Sequence, residues 1–148
     1  MKPTPKGWQR FSPTVIYEDA RTMIDWLCNA FGFEVRLLVE PEPGIVEHSE
    51  LAYGEGLIMV SQAKNEANPR FGVPMRGPSI VGGVNTQNIM VFVDDAAAHC
   101  EHARAAGARI IDEVSIHDYG EDYWIDRSYG ALDPEGHMWW FSERVRGD

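Results

Sequence analysis

Apolar and polar residues follow two rhythms along this chain, and each rhythm occurs twice. From Asp19 onward, Ala20, Met23, Ile24, Leu27 and Phe31 recur at three- and four-residue spacing. That spacing gives a helix one apolar face. Glu18 and Asp19 suit its N-terminus, where free backbone N–H groups want acceptors, and Gly32 suits its C-terminal cap. A second helix is predicted to start at Asp94 or Asp95 and to stop before Gly107. Its apolar face is thin, built from Ala96, Ala97, Cys100 and Ala103. Small residues there imply close approach to a sheet.

Strand-like runs follow each helix. After the first come "VRLLVE", "GIVEHSELAY" and "GLIMVS"; after the second come "RIIDEV", "DYWIDRSYGALD" and "HMWWFSE". A short β-rich run precedes each helix as well. Both halves therefore read βαβββ, and the halves align. Asp19 matches Asp95 at an offset of 95 − 19 = 76, and Ser12 matches Asn88 at the same offset. The fold class is α+β: two tandem βαβββ modules, 11–62 and 88–146, within a single domain of 1–148. The Pro- and Gly-rich stretch 63–87 links them, and its length makes a lid or a subunit contact worth considering. One helix covers only one face of a four-stranded sheet. Two such modules can place their open faces around a shared cleft, which makes a concave pocket the expected functional site.

The run "DPEGHMWWF", Asp133 to Phe141, raises a sharper question. Side chains alternate faces along a strand, so Trp139 and Trp140 cannot both enter one core. One indole packs under the sheet and the other faces elsewhere.

Composition narrows the options. The chain has 148 residues and 44% hydrophobic content, enough for a real core. No apolar run approaches a membrane span, and "MKPTPKGWQRF" has no apolar leader core, so no membrane partner and no secretory signal are expected. Cys28 and Cys100 form neither a disulfide framework nor a zinc pattern, so a reduced, cytoplasmic setting is the default. A net charge of −10 argues against nucleic acid. It is compatible with a cationic ligand and equally with solubility alone.

The duplicated pattern resembles the vicinal oxygen chelate superfamily, which includes glyoxalase I, bleomycin-resistance proteins and extradiol dioxygenases. The pieces that carry the resemblance are "VFVDDAAAHCEHARAAGARI" and "DRSYGALDPEGHMWWF". Metal enzymes of that superfamily use His, Glu or Gln ligands at the start of each module's first strand and on each module's last strand. The matching positions here are Ser12, Asn88, Met59 and Trp140. An indole N–H only donates, a thioether is soft, and the other two offer neutral oxygens. Hard or borderline divalent ions want carboxylate, imidazole or water. No metal and no other cofactor are expected. The resemblance implies that Trp139 packs toward a helix and Trp140 faces the cleft. It also implies a homodimer.

Other residues could carry chemistry. His48 and Glu50 are two apart on a predicted strand, so they share a face and could form an acid–base pair or half of a metal site. They could equally be an ordinary polar strand face. His99 and His102 read as a solvated helix face, and His137 as a local hydrogen-bonding residue of its turn. Asp118, Glu121, Asp122 and Asp126 interleave with Tyr119, Tyr123 and Trp124. That mixture suits a flat cation, or is an acidic hairpin in water. Two functions remain. The first is a metal-free binding protein for a small, cationic, aromatic molecule, with Ser12, Met59, Asn88, Trp140, Trp124 and Asp126 as its lining. The alternative is a lyase, isomerase or dioxygenase relative with an atypical or metal-free site that uses His48 or Glu50.

Overall fold

A computed structural model describes residues 1–64 and 72–147, in two compact units, Met1–Gly77 and Pro78–Asp148. Residues 65–71 of the linker, on which the lid expectation partly rests, lie outside the described residues. The first unit runs β1 (Thr14–Tyr17), α1 (Ala20–Phe31), β2 (Glu34–Val39), β3 (His48–Tyr53) and β4 (Gly56–Gln62). Its sheet has the order β1-β4-β3-β2, with β1 parallel to β4 and the other pairs antiparallel. The second unit runs β5 (Asn88–Phe92), α2 (Ala96–Ala105), β6 (Arg109–Asp118), β7 (Ile125–Leu132) and β8 (Met138–Arg146). Its order is β5-β8-β7-β6, with the same pairing senses.

The repeat extends to single hydrogen bonds. Asp19 caps α1 by accepting from Thr22 N at 3.1 Å, and Asp95 caps α2 by accepting from Ala98 N at 2.9 Å. The first donor of each helix is met by the module's last strand. Ala20 N donates to Gln62 Oε1 and Ala96 N to Glu143 Oε2, both at 3.1 Å. Each helix thus has two of its unpaired N-terminal donors satisfied in the same way. Gln62 and Glu143 are 143 − 62 = 81 apart, and so are Met59 and Trp140 (140 − 59 = 81). The capping geometry therefore fixes Met59 and Trp140 as equivalent positions. Register agrees: Thr14 pairs with Met59, and Met90, at 14 + 76, pairs with Trp140.

In the first unit the helix supplies the bulk. Ala20, Met23, Ile24, Leu27, Ala30 and Phe31 are buried against Val15, Tyr17, Leu51, Ile58 and Val60. Gly32 ends α1 in the left-handed region, at φ 84°. In the second unit α2 offers Ala96, Cys100 and Ala103, and the sheet supplies Trp139, Tyr129 and Phe141, all fully buried. Trp139 Nε1 donates to Asp133 Oδ2 at 3.0 Å, so the buried indole keeps its polar group satisfied.

Four expectations need correction. Ala97 is exposed and is not part of the buried face of α2. His99 is not on a solvated face: its Nδ1 lies 2.6 Å from Tyr129 Oη, and its ring centroid is 4.4 Å from that of Phe141. The small residues of α2 leave room for that ring to turn inward, whereas His102 is exposed. The strand predicted from Gly44 begins only at His48, because Glu42 and Ile45 form their own turn bridge. Ser12 precedes the first strand, which starts at Thr14.

Candidate functional site

Each sheet has a second face, away from its helix, and strand parity assigns its residues. In the second unit that face carries Asn88, Met90 and Phe92 of β5, and Met138, Trp140, Ser142 and Arg144 of β8. It continues through Asp126, Ser128 and Gly130 of β7, which stand opposite Arg144, Ser142 and Trp140. Asp112, Ser115 and His117 of β6 complete it, opposite Gly130, Ser128 and Asp126. The question posed by the paired tryptophans is settled here. Trp139 is buried with Phe141, and Trp140 lies on the other face.

Gly130 explains how Trp140 lies. A Cβ on Gly130 would come within 3.1 Å of both Cη2 and Cζ3 of the indole and 3.4 Å of Asp112 Cβ. The benzo ring therefore lies across β7, on bare backbone, with its far edge toward Asp112. Only glycine permits that approach.

Two residues along β8, beyond Ser142, Arg144 marks the other end of the face. Its Nε donates to Asp126 Oδ1 at 2.5 Å. Its guanidinium carbon is 5.4 Å from the Phe92 ring centroid and 5.0 Å from that of Trp124. A planar cation is thus held by two aromatic rings and one buried carboxylate. Asp126 is therefore engaged within the protein. Trp124 introduces β7 from a hairpin closed by Tyr119 N donating to Trp124 O at 3.0 Å, and Tyr119 and Tyr123 are exposed on that hairpin.

The open face of the first unit differs. Thr14, Met59, Glu50 and Leu37 stand in register across it. Glu50 accepts from Arg36 Nε at 2.7 Å, and its other oxygen lies 3.0 Å from His48 Nε2. The hydrogen bond from His48 and the Arg36 guanidinium hold the Glu50 carboxyl below the usual carboxylate range, against the opposing push of burial. Arg36 also lies 5.0 Å from the Trp8 ring centroid and donates to Gly7 O, which ties the N-terminal segment to this edge.

Of the residues expected from sequence, Met59, Trp140, Asn88, Asp126, His48 and Glu50 all stand on open faces. Ser12 Oγ is buried and lacks a hydrogen-bond partner among the described residues. Sequence reading missed Phe92, Asp112, Gly130, Arg144 and Arg36. Parity could have found Phe92 from Asn88 and Arg144 from Trp140. Arg36 and Asp112 lie at register shifts on β2 and β6, where simple alternation breaks.

Met59 and Trp140 hold the equivalent last-strand positions, and neither is a hard donor. Among the described residues no group of three or more His, Cys, Asp or Glu could hold a metal. No helix among them is long and apolar enough to cross a membrane.

Comparison with known proteins agrees with this architecture. The family model described as Glyoxalase/Bleomycin resistance protein/Dioxygenase superfamily matches residues 11–141. TioX from Micromonospora sp. ML1 is 28% identical, with a TM-score of 0.67 over 95% of this chain and 99% of that one. An integron cassette protein from V. Cholerae is 16% identical, with a TM-score of 0.65 over 97% of each chain. The fosfomycin resistance protein FosX from Listeria monocytogenes, solved with Mn(II) and sulfate, is 12% identical, with a TM-score of 0.58 over 91% of this chain and 89% of that one. The last two likenesses concern the fold alone. None of the curated proteins matches the chain.

Proposed function

Since the chain belongs to the glyoxalase/bleomycin resistance protein/dioxygenase superfamily, we propose that it binds a small, flat, cationic molecule, without a metal, on the open face of its second sheet. One observation carries the reading: this face already stabilises a planar cation of its own. Arg144 is held by Phe92, Trp124 and Asp126. A few ångströms along the same strands, Trp140 presents an indole across Gly130, with Asp112 at its edge. A ligand ring stacked on Trp140, with its charge directed to Asp112, repeats that arrangement with an external partner. A cation over an aromatic face contributes ~0.5–2 kcal/mol, so ring and carboxylate together give useful selectivity for this class. Ser128 and Ser142 supply hydroxyls between the two aromatic groups. The reading includes a homodimer: β2 is an edge strand with Val35, Leu37 and Val39 exposed.

The test is a titration with a planar aromatic cation, proflavine, followed by dye fluorescence and by thermal shift. Trp140→Ala and Asp112→Asn should each weaken binding several-fold while melting close to the parent protein. Binding by the parent that neither variant alters would remove the site from this face. One tightly held zinc, iron, nickel or manganese per chain in elemental analysis would overturn the metal-free reading.

A further inference from the structure

We propose that His48 and Glu50 form a general-base dyad that activates water for attack on a small, neutral aryl ester at the open face of the first sheet. The proposal stands apart from the ligand reading above, because it uses only the first unit.

The geometry has three parts. Glu50 is nearly sealed from solvent, with 8% of its side chain exposed, whereas 39% of the His48 side chain is exposed. A buried carboxylate on the face opposite the core contributes little to packing and costs desolvation unless it is paired. Arg36 supplies that pairing at 2.7 Å, which keeps Glu50 ionised. An ionised carboxylate only accepts hydrogen bonds, so the His48 nitrogen 3.0 Å away, Nε2, is the one that carries the proton. That fixes the tautomer and leaves the Nδ1 lone pair as the base. The carboxylate orients the ring and stabilises the imidazolium that forms, without taking the proton itself.

The step balances with water alone. Nδ1 removes a proton as the water oxygen bonds to the ester carbonyl carbon. The tetrahedral adduct collapses with loss of the aryloxide, which regains the proton from Nδ1. The products are a carboxylic acid and a phenol. The surroundings select the substrate class. Thr14, Met59 and Leu37 flank Glu50 across the sheet, so the floor is neutral and largely apolar. The Arg36 guanidinium is engaged by Glu50 and Gly7 O and is not presented to a phosphoryl group. An aryl ester, with its good leaving group, asks least of the site for stabilising the oxyanion. Among the described residues, the charged groups beside the ring are Glu50 on its own strand, bonded to it, and Arg36 on β2, bonded to Glu50; Met59 and Ser61 of β4 are uncharged.

Full-length protein with p-nitrophenyl acetate tests the proposal. Hydrolysis should saturate with substrate. His48→Gln should lower kcat roughly 100-fold, the usual worth of a positioned general base. Glu50→Gln should lower kcat by less and leave KM unchanged, and Glu50→Asp should recover part of the loss; circular dichroism confirms that each variant is folded. His48→Gln hydrolysing at the parent rate would overturn the proposal. So would both Glu50 variants matching the parent, or a burst showing an acyl-imidazole intermediate.

Discussion

In the first unit the core is filled from the helix; in the second it is filled from the sheet. Met23, Ile24, Leu27 and Phe31 press down on strands whose buried hydrophobic residues are aliphatic but for Tyr17 of β1. In the second, Trp139, Tyr129 and Phe141 rise toward a helix of alanines and one cysteine. The two units share topology, N-capping aspartates and the register of first strand on last, so the backbone plan does not dictate where the volume sits. Only the sum across the interface has to match. The exchange has a functional side. Placing large aromatics on β8 brings Trp139 and Trp140 next to each other, and alternation then delivers one of them to the opposite face.

The largest effects should come from truncating the bulky partner in each unit. Trp139→Ala should cost ~3–5 kcal/mol and Leu27→Ala ~2–5 kcal/mol in chemical denaturation. Cys100→Ala, on the light side of the second unit, should cost about 1 kcal/mol or less. A Cys100 change as costly as Trp139→Ala would break the comparison. Gly130→Ala comes next, at ~1–3 kcal/mol, since the added methyl must lift the Trp140 indole. Its companion Gly130→Ala/Trp140→Ala should recover most of that loss; no recovery would mean that the glycine serves the backbone and not the indole.

The smallest effect concerns acid. Glu50 in the first unit and Glu113 in the second both titrate below the ordinary value of 4.5, Glu50 through His48 and Arg36, and Glu113 through Arg104. A depressed folded-state pKa contributes stability above the unfolded value, and that contribution is lost as pH falls through the folded one. Melting temperature should therefore decline below about pH 4.5, and Glu50→Gln should flatten the decline. Glu113→Gln should do so less, because the Glu113–Arg104 pair is exposed and salt screens it. Equal flattening by the two variants at moderate salt would contradict the difference in burial.

Sequence carried the fold a long way because its strongest signals were local. The period of Ala20 to Phe31 announced α1, and Asp19 and Asp95 marked both caps. The thin face of α2 was visible too, but not its filler: His99 turns inward onto Tyr129 and Phe141, partners distant in sequence. The family likeness chose which tryptophan faces outward. The site was legible only where alternation holds. Asp112 and Arg36 sit at register shifts, and the pairing of Arg144 with Asp126 spans 144 − 126 = 18 residues, so no local pattern announces it. The Glu50 partners were half visible, His48 by parity and Arg36 not at all.

The parallel pairing of each unit's first and last strands also sets an order of events. Thr14 pairs with Met59, 59 − 14 = 45 residues later, and Met90 with Trp140, 140 − 90 = 50 residues later. Neither first strand has its sheet neighbour until the last strand of its unit is present, because β1 pairs with β4 and β5 with β8. Joining such distant segments exacts chain entropy before any contact repays it, and this slows folding. The hairpin of β6 and β7 can form early, from nearby residues. The helix α2, which has little apolar surface of its own, must wait for Trp139 and Phe141 to arrive beneath it. A growing chain that pauses before β8 is therefore left with Tyr129 uncovered and β5 unpaired, the moment at which this protein is most exposed to sticking to its neighbours.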